Sequence, residues 1–529
     1  MLTATQAMLR SCRQALFRWK VADSTGDAIT GGALLTRAFV LRRLMLRELL
    51  ATNPDDERYI GLLIPPSNGG AIVNAAVTLS GRVTVNLNYS VTSEVLNACI
   101  ERAGIKHVLT TRKVLEKLSL DINAEVVFLE DFKENITATD KAVAATMAYA
   151  TPLPLLERML GLDKTSLDDE LTVIFTSGST GEPKGVVLTH RNIMSNVVGI
   201  DQAIHLDAKD VMLGVLPFFH SFGFTVTLWG PLALDLHVAY HFSPLDARQV
   251  GKLAGARGAT ILLATPTFLR SYLKRCTPEN FATLDVVVAG AEKLPTPLCD
   301  AFEEKFGVRP VEGYGATELA PLVSVNIPPS RKRGDKIDCR EGTVGQPVKE
   351  VVAKIVHPET CEAVPEGGEG MLLITGPNLM KGYLHDPEKT AKVIRDGWYV
   401  TGDIARLDEQ GFIHITGRES RFSKIGGEMV PHVLVEEAIQ SFLAPHDDDD
   451  PVAVVTAVPD EKKGERLIVV HLPIEKTPQE IGVQLAADGL PNLWIPSPDA
   501  YMQVDELPLL GSGKLDLKLL AKLALERLG

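Results

Sequence analysis

The sequence predicts an α/β protein. A large N-terminal domain of parallel-rich sheets with helices and a β-rich subdomain precedes a small α+β C-terminal domain. Three observations lead there. Apolar runs of strand length recur with helical stretches between them, the pattern of buried parallel strands covered on both faces. After about residue 340 the texture changes to short strands and tight turns. A chain of 529 residues is too long for one core, so two or three domains are expected.

Taken in order, the first notable element is "LLTRAFVLRRLMLRELL", 34–50, where Arg37, Arg42, Arg43 and Arg47 alternate with leucines at helical spacing. This reads as an amphipathic helix packed on a core with a solvated basic face; an interfacial membrane helix is the alternative. "YIGLLIPPS" precedes the small-residue segment "NGGAIVNAAVTLSG", and "KHVLTT" and "AEVVFLE" follow. Then come "LTVIFTSG", "DVMLGVLP", "ATILLATP" and "LDVVVAGAE" as further strands. Several end in Gly, Ser, Thr or Pro, and in open α/β sheets ligands gather at the carboxyl ends of strands. "GTVGQPV", "EGGEGMLLITG" and "GWYVTGDIARLDEQGFIHITGR" predict antiparallel hairpins. Past a charged turn, "VAVVTAVPD" and "RLIVVHLPI" form the strands of a small terminal unit. The expected division is 1–417, a hinge at 418–421, and 422–529. "HDDDDP", 446–451, reads as a solvated loop.

Composition excludes several classes. Hydrophobic content of 45% with 23% charged residues suits a soluble globular enzyme. A net charge of −13 argues against nucleic acid, which needs a basic face. The six cysteines show no C-x-x-C and no zinc spacing, so they read as thiols in a reducing cytoplasm. No secretory signal opens the chain, and no uncharged run approaches a membrane span. A cytoplasmic location, with at most peripheral association at the inner membrane face, follows.

The chemistry concentrates in "FTSGSTGEPKGVVLTH", 175–190, a glycine-rich turn between an apolar run and a helix-like segment. Bare backbone with hydroxyls suits a polyphosphate. The nucleotide P-loop pattern fails, because Lys184 lies between Pro183 and Gly185; the hydrolase elbow fails, because position 177 is Ser. Three more motifs follow: "GYGATE" (313–318), "YVTGD" (399–403) with "GRESRFSKIGGE" (417–428), and "PLLGSGKLD" (508–516).

In that order and spacing, the four motifs resemble the adenylate-forming superfamily of acyl-CoA synthetases, luciferases and peptide-synthetase adenylation domains. "SKIGGEMVP" and "LPLLGSGKLD" are similar to the synthetase half of the bacterial 2-acylglycerophosphoethanolamine acyltransferase/acyl-ACP synthetase. The resemblance implies ATP-dependent activation of a fatty acid, of medium or long chain, to acyl-AMP and pyrophosphate. Transfer then follows to a thiol, either CoA or the phosphopantetheine of acyl carrier protein. It implies that Thr176, Ser177, Gly178, Ser179, Thr180 and Gly181, with Lys184, grip the β- and γ-phosphates. Tyr314 would stack on adenine beside Gly315, Thr317 would contact the α-phosphate and Glu318 would bind Mg²⁺, which favours one or two carboxylates plus phosphate oxygens. The backbone at Gly290, Ala291 and Glu292 would line the adenine and acyl pocket. Asp403 would accept the ribose hydroxyls, with Arg418 reaching the ribose or phosphate.

In "LPFFHSFGF", His220 would border the carboxylate, while Phe218, Phe222, Phe224 and Trp229 would wall an acyl tunnel. Each of these also reads as ordinary core packing. Lys514 would bridge the α-phosphate and the carboxylate in adenylation and then leave. Ser420 stands in the hinge where many relatives carry Asp or Lys, which bears on the rate of switching. The H-x-x-x-x-D spacing of an acyltransferase occurs at His205/Asp210 and His241/Asp246. With 12 histidines chance matches are expected, so the ligase half alone is the reading. An inactive nucleotide-binding paralogue, or adenylation of an aryl or amino acid, stays open.

Overall fold

The computed structural model describes residues 1–50, 57–177, 183–334, 337–426, 428–443, 451–460, 463–508 and 515–528. They fall into two compact units. The first comprises 1–354, 373–401 and 407–414; the second comprises 355–372, 402–406 and 415–529.

Two sheets organise the first unit. One has seven strands in the order Gly382–Tyr383, Pro183–Thr189, Glu170–Ser177, Val83–Asn86, Tyr59–Leu62, His107–Thr110, Glu125–Phe128. Its pairings are parallel from Glu170–Ser177 onward and antiparallel at the other end. The other has nine strands, with Val211–Gly214, Ile261–Ala264, Val286–Ala289 and Val311–Gly315 paired in parallel through its middle. The first three of these are buried along their length, as short apolar runs covered on both faces must be, while Val311–Gly315 emerges toward the surface at its carboxyl end. Leu262, Val287, Leu269, Tyr272, Phe281 and Phe302 lie in one core between this sheet and its helices.

Two expectations need correction. The segment after the glycine-rich turn is a strand, Pro183–Thr189, antiparallel to Glu170–Ser177 with Thr176 opposite Lys184. The helix begins only at His190, with Thr189 as its cap. Val186, Val187 and Thr189 are β-branched and suit the pleated surface better than a helix. The second correction concerns 34–50, which forms the helix Gly31–Leu44 and a wider turn Met45–Leu49. Only part of its basic face is solvated. Arg43 and Arg47 both bind the buried Asp140 at 3.0 Å, and Arg42 donates to the carbonyl of Leu79 at 2.7 Å. Arg42 and Arg43 are half-buried while Arg37 and Arg47 remain exposed, the pattern of a helix packed on a core with a partly solvated basic face. Among the described residues, no helix is long and apolar enough to cross a membrane.

The second unit builds a five-stranded sheet around the antiparallel pair Ala453–Asp460 and Gly464–His471, the two segments expected to be strands. Its strands alternate faces. Val455 and Val469 pack with Val435, Ile439 and Ile481 of two helices, while Val454, Ile468 and Val470 pack with Leu520 and Ala524 of the helix Leu517–Leu528.

Candidate active site

Several motif segments converge at the ends of the first unit's sheets. The strand Val311–Gly315 pairs antiparallel with Leu322–Val325, and the turn between them carries Thr317, Glu318 and Leu319. Gly315 is required there by contact: a Cβ would lie 2.2 Å from the carbonyl oxygen of Pro321. The turn is anchored from a distance. Asn196, buried on the helix His190–Ile204, donates to the carbonyl of Leu322 at 2.7 Å and accepts from its N–H at 3.1 Å. Asn378 donates to the carbonyls of Leu319 and Leu322 at 3.0 and 3.1 Å.

The "HSFGF" segment reaches the same turn. The hydroxyls of Ser221 and Thr317 are 3.2 Å apart. Gly223 permits the tight approach, since a Cβ would sit 2.1 Å from the carbonyl oxygen of Pro217. His220 is exposed, its ring 4.6 Å from that of Phe219. The aromatic residues divide. Phe222 is half-buried and lies beside Gly290, whereas Phe218, Phe224 and Trp229 are buried, the last two 6.3 Å apart in the core. Gly290 donates its N–H to Ala264 at 3.1 Å, and Ala291 adopts φ +70°. The Glu292 carboxylate turns away, accepting from the hydroxyl and N–H of Thr267 at 2.8 and 3.3 Å.

Glu318 is half-buried, with one carboxylate oxygen, Oε1, accepting from the Tyr383 hydroxyl at 2.8 Å and its carbonyl accepting from Met380 N–H at 2.8 Å. Burial, then the neighbouring Glu318 charge, pushes the Tyr383 phenol up, so it stays a donor. Lys184 stands with its ammonium 5.4 Å from the Tyr383 ring centroid. Burial also raises Glu312, one strand residue before Gly313, above the usual carboxylate range; its Oε1 accepts from Leu294 N–H at 3.2 Å. Tyr314 is half-buried on the same strand.

In the second unit, Asp403 is buried and its Oδ1 accepts from Arg418 Nε at 2.7 Å, so the two residues assigned to one ribose are an ion pair. The motif residues Gly178, Ser179, Thr180 and Gly181, the Ser177 side chain, Lys514 and the aspartate run lie outside the described residues. The histidine–aspartate pairs have structural roles. Asp210 is held by Arg331 at 2.6 Å and by the Thr260 hydroxyl at 2.8 Å; His241 is buried, 3.8 Å from Asp246, which caps a helix. Tyr383, Asn196 and Asn378 escaped sequence reading. An asparagine inside the otherwise apolar "NIMSNVVGI" is the signal that could have found Asn196.

As to metal, Glu318 supplies a hard oxygen donor half-shielded from water, and Mg²⁺ needs only one or two such carboxylates beside phosphate oxygens. The residues fit that ion. No group of three or more His, Cys, Asp or Glu suited to a self-contained metal centre occurs among the described residues.

A family model described as AMP-binding enzyme matches residues 12–384, and the chain belongs to that family. It is 28% identical over 526 residues to 4-coumarate–CoA ligase-like 4 of Oryza sativa subsp. japonica, covering 94% of this chain and 91% of that protein. It is 30% identical over 368 residues to the long-chain-fatty-acid–CoA ligase of Bacillus subtilis (strain 168), covering 68% of this chain and 62% of the relative's length. The fold matches the crystal structure of ATP-bound MatB from Rhodopseudomonas palustris with TM-score 0.78, 25% identity and 99% of each chain covered.

Proposed function

We propose that this protein is an AMP-forming ligase that activates a fatty acid as acyl-adenylate and passes the acyl group to a thiol. The observation that carries the reading is the meeting of motif segments at one turn: Thr317 beside Ser221, and Glu318 bonded to Tyr383 beneath Lys184. A triphosphate substrate needs donors and positive charge held in place beforehand, which the Thr317 and Ser221 hydroxyls and the Lys184 ammonium would offer.

In this account the hydroxyls of Thr176, Ser177, Ser179 and Thr180, the glycines between them and Lys184 hold the β- and γ-phosphates. Thr317 donates to an α-phosphate oxygen, Tyr314 stacks on adenine, and the main chain at Gly290–Glu292 borders the base. Glu318 would hold magnesium, which when bound would neutralise charge on the phosphates. The fatty acid's carboxylate oxygen attacks the α-phosphorus, the bond to the bridging oxygen breaks, and pyrophosphate leaves with the electron pair. Lys514 offers its ammonium to the charge that builds on the carboxylate and α-phosphate. Asp403 accepts from the ribose hydroxyls once Arg418 yields part of its hold. A thiolate then attacks the acyl carbon and AMP departs. The hinge at 418–421, between 1–417 and 422–529, lets Lys514 withdraw for this second step. His220 and Phe222 border the acyl entrance, and the apolar surroundings of Phe218, Phe224 and Trp229 accommodate a chain of medium or long length.

Likeness to long-chain and medium-chain fatty-acid–CoA ligases supports the acyl donor, and supports CoA as acceptor. The resemblance of "SKIGGEMVP" and "LPLLGSGKLD" supports acyl carrier protein instead. A second reading, an aryl acid, is favoured by the near full-length likeness to 4-coumarate–CoA ligase-like 4. One experiment sorts these: carboxylate-dependent ATP consumption with CoA or with holo-acyl carrier protein, for acetate, dodecanoate, hexadecanoate and 4-coumarate. The proposal expects hexadecanoate or dodecanoate to lead; faster turnover of acetate or 4-coumarate than of either would overturn it.

A further inference from the structure

We propose that Tyr383 is a positioning residue that fixes Glu318 as a one-oxygen ligand for the metal and couples it to the phosphate-facing lysine. The inference rests on the reading of Glu318 as the magnesium residue. Tyr383 belongs to no motif singled out in the sequence, yet three motif segments meet on its side chain. Its hydroxyl donates to Glu318 Oε1 of "GYGATE" at 2.8 Å. Lys184 of "EPKG" stands 5.4 Å from its ring centroid. Tyr399 of "YVTGD" hydrogen-bonds the same phenol oxygen.

The main chain fixes where that phenol lies. Gly382 and Tyr383 pair with Val187 and Val186 of the lysine-bearing strand, Lys381 N–H donates to the Val187 carbonyl at 3.0 Å, and Leu384 N–H donates to the Gly185 carbonyl at 2.7 Å. On the other side Met380 N–H donates to the carbonyl of Glu318 at 2.8 Å. Residues 380–384 therefore run as a strap between the strand of Lys184 and the turn of Glu318. With one oxygen of Glu318 engaged by a neutral donor, the other oxygen is the less encumbered one for a cation. Single-oxygen ligation suits the strict octahedral geometry of Mg²⁺, and hydrogen bonds to a ligating carboxylate fix its orientation.

The test uses the full-length protein and ATP binding without any carboxylate substrate, so that no turnover occurs. Calorimetry gives the ATP dissociation constant with and without Mg²⁺ for wild type, Glu318→Gln, Tyr383→Phe and the double variant. Tyr383→Phe keeps the ring beneath Lys184 and loses only the hydroxyl, and a thermal melt checks that each variant folds. Glu318→Gln should remove most of the metal-dependent gain in affinity; if that gain survives, the reading of Glu318 itself fails. Tyr383→Phe should leave metal-free ATP binding unchanged and cut the metal-dependent gain by about 10-fold or more, the usual cost of losing a ligand's supporting hydrogen bond. In the Glu318→Gln background it should cost nothing further. A gain within twofold of wild type in Tyr383→Phe, or an equal additional loss in the double variant, would overturn the positioning role while leaving Glu318 in place.

Discussion

Replacing Asn196 by Ala removes the side chain that holds the "GYGATE" turn from behind. Asn196 acts as a substitute strand neighbour, giving one hydrogen bond and taking one from the same residue, Leu322, at 2.7 and 3.1 Å. Each such bond is worth ~0.5–1.5 kcal/mol net, and an N–H left without a partner in a shielded place costs ~1–3 kcal/mol. The Leu322 carbonyl keeps its bond from Asn378, so the loss falls mainly on the N–H. The sum is about 2–3 kcal/mol against the closed turn, or roughly a 30- to 150-fold rise in local opening. Hydrogen exchange at the amides of 315–325 reads this directly, and the KM for ATP should rise with it because Thr317 and Glu318 sit on that turn. Wild-type exchange and wild-type KM together would refute the claim that this helix positions the turn.

Three further predictions concern different parts of the molecule. His190 Nδ1 accepts from Ala4 N–H at 3.2 Å, and burial pushes this histidine down to about 4, below its ordinary value. The unfolded chain then binds the extra proton first, so stability is full above pH ~6.5 and falls as pH drops toward 4, by ~1.4 kcal/mol per unit for this group. Urea midpoints at pH 7 and pH 5 should show a drop that His190→Gln reduces; an unchanged slope would contradict it. Adenylation efficiency should climb from acetate to dodecanoate, since each buried methylene is worth ~0.8 kcal/mol; competition assays across chain lengths check this, and a flat series speaks against an apolar tunnel. Lys514→Ala should slow acyl-AMP formation by ~100–1,000-fold, the usual cost of a transition-state contact, yet spare thioester formation from supplied acyl-AMP. Equal loss in both half-reactions would count against a lysine that leaves between steps.

What the sequence made legible was whatever depended on local pattern. Ile261–Ala264 and Val286–Ala289 are uninterrupted apolar runs and announce themselves as buried strands. Trp19–Asp23 does not, because Lys20 sits inside it; its ammonium is buried against Ser11 Oγ and the Leu234 carbonyl, partners no window on the sequence contains. Pro183–Thr189 reads as helix-like because glycine and lysine blur its alternation, and Gly382–Tyr383 is too short to leave any pattern. At the site, Thr317 and Glu318 were legible as motif residues. Tyr383 and Asn196 were not, since each acts through a partner far along the chain. The pairing of Arg418 with Asp403 escaped for the same reason: a motif shows residue types in order, not which charge answers which.

Attack of a carboxylate on the α-phosphorus of ATP is tested at the atom concerned by isotope transfer. The enzyme is supplied with hexadecanoate labelled with ¹⁸O in both carboxyl oxygens, together with ATP, magnesium and a thiol acceptor, and the nucleotide product is analysed by mass spectrometry. AMP should carry one ¹⁸O per turnover, because the attacking oxygen stays on phosphorus when the thiol takes the acyl group. Unlabelled AMP, or ADP with label in orthophosphate, would contradict it.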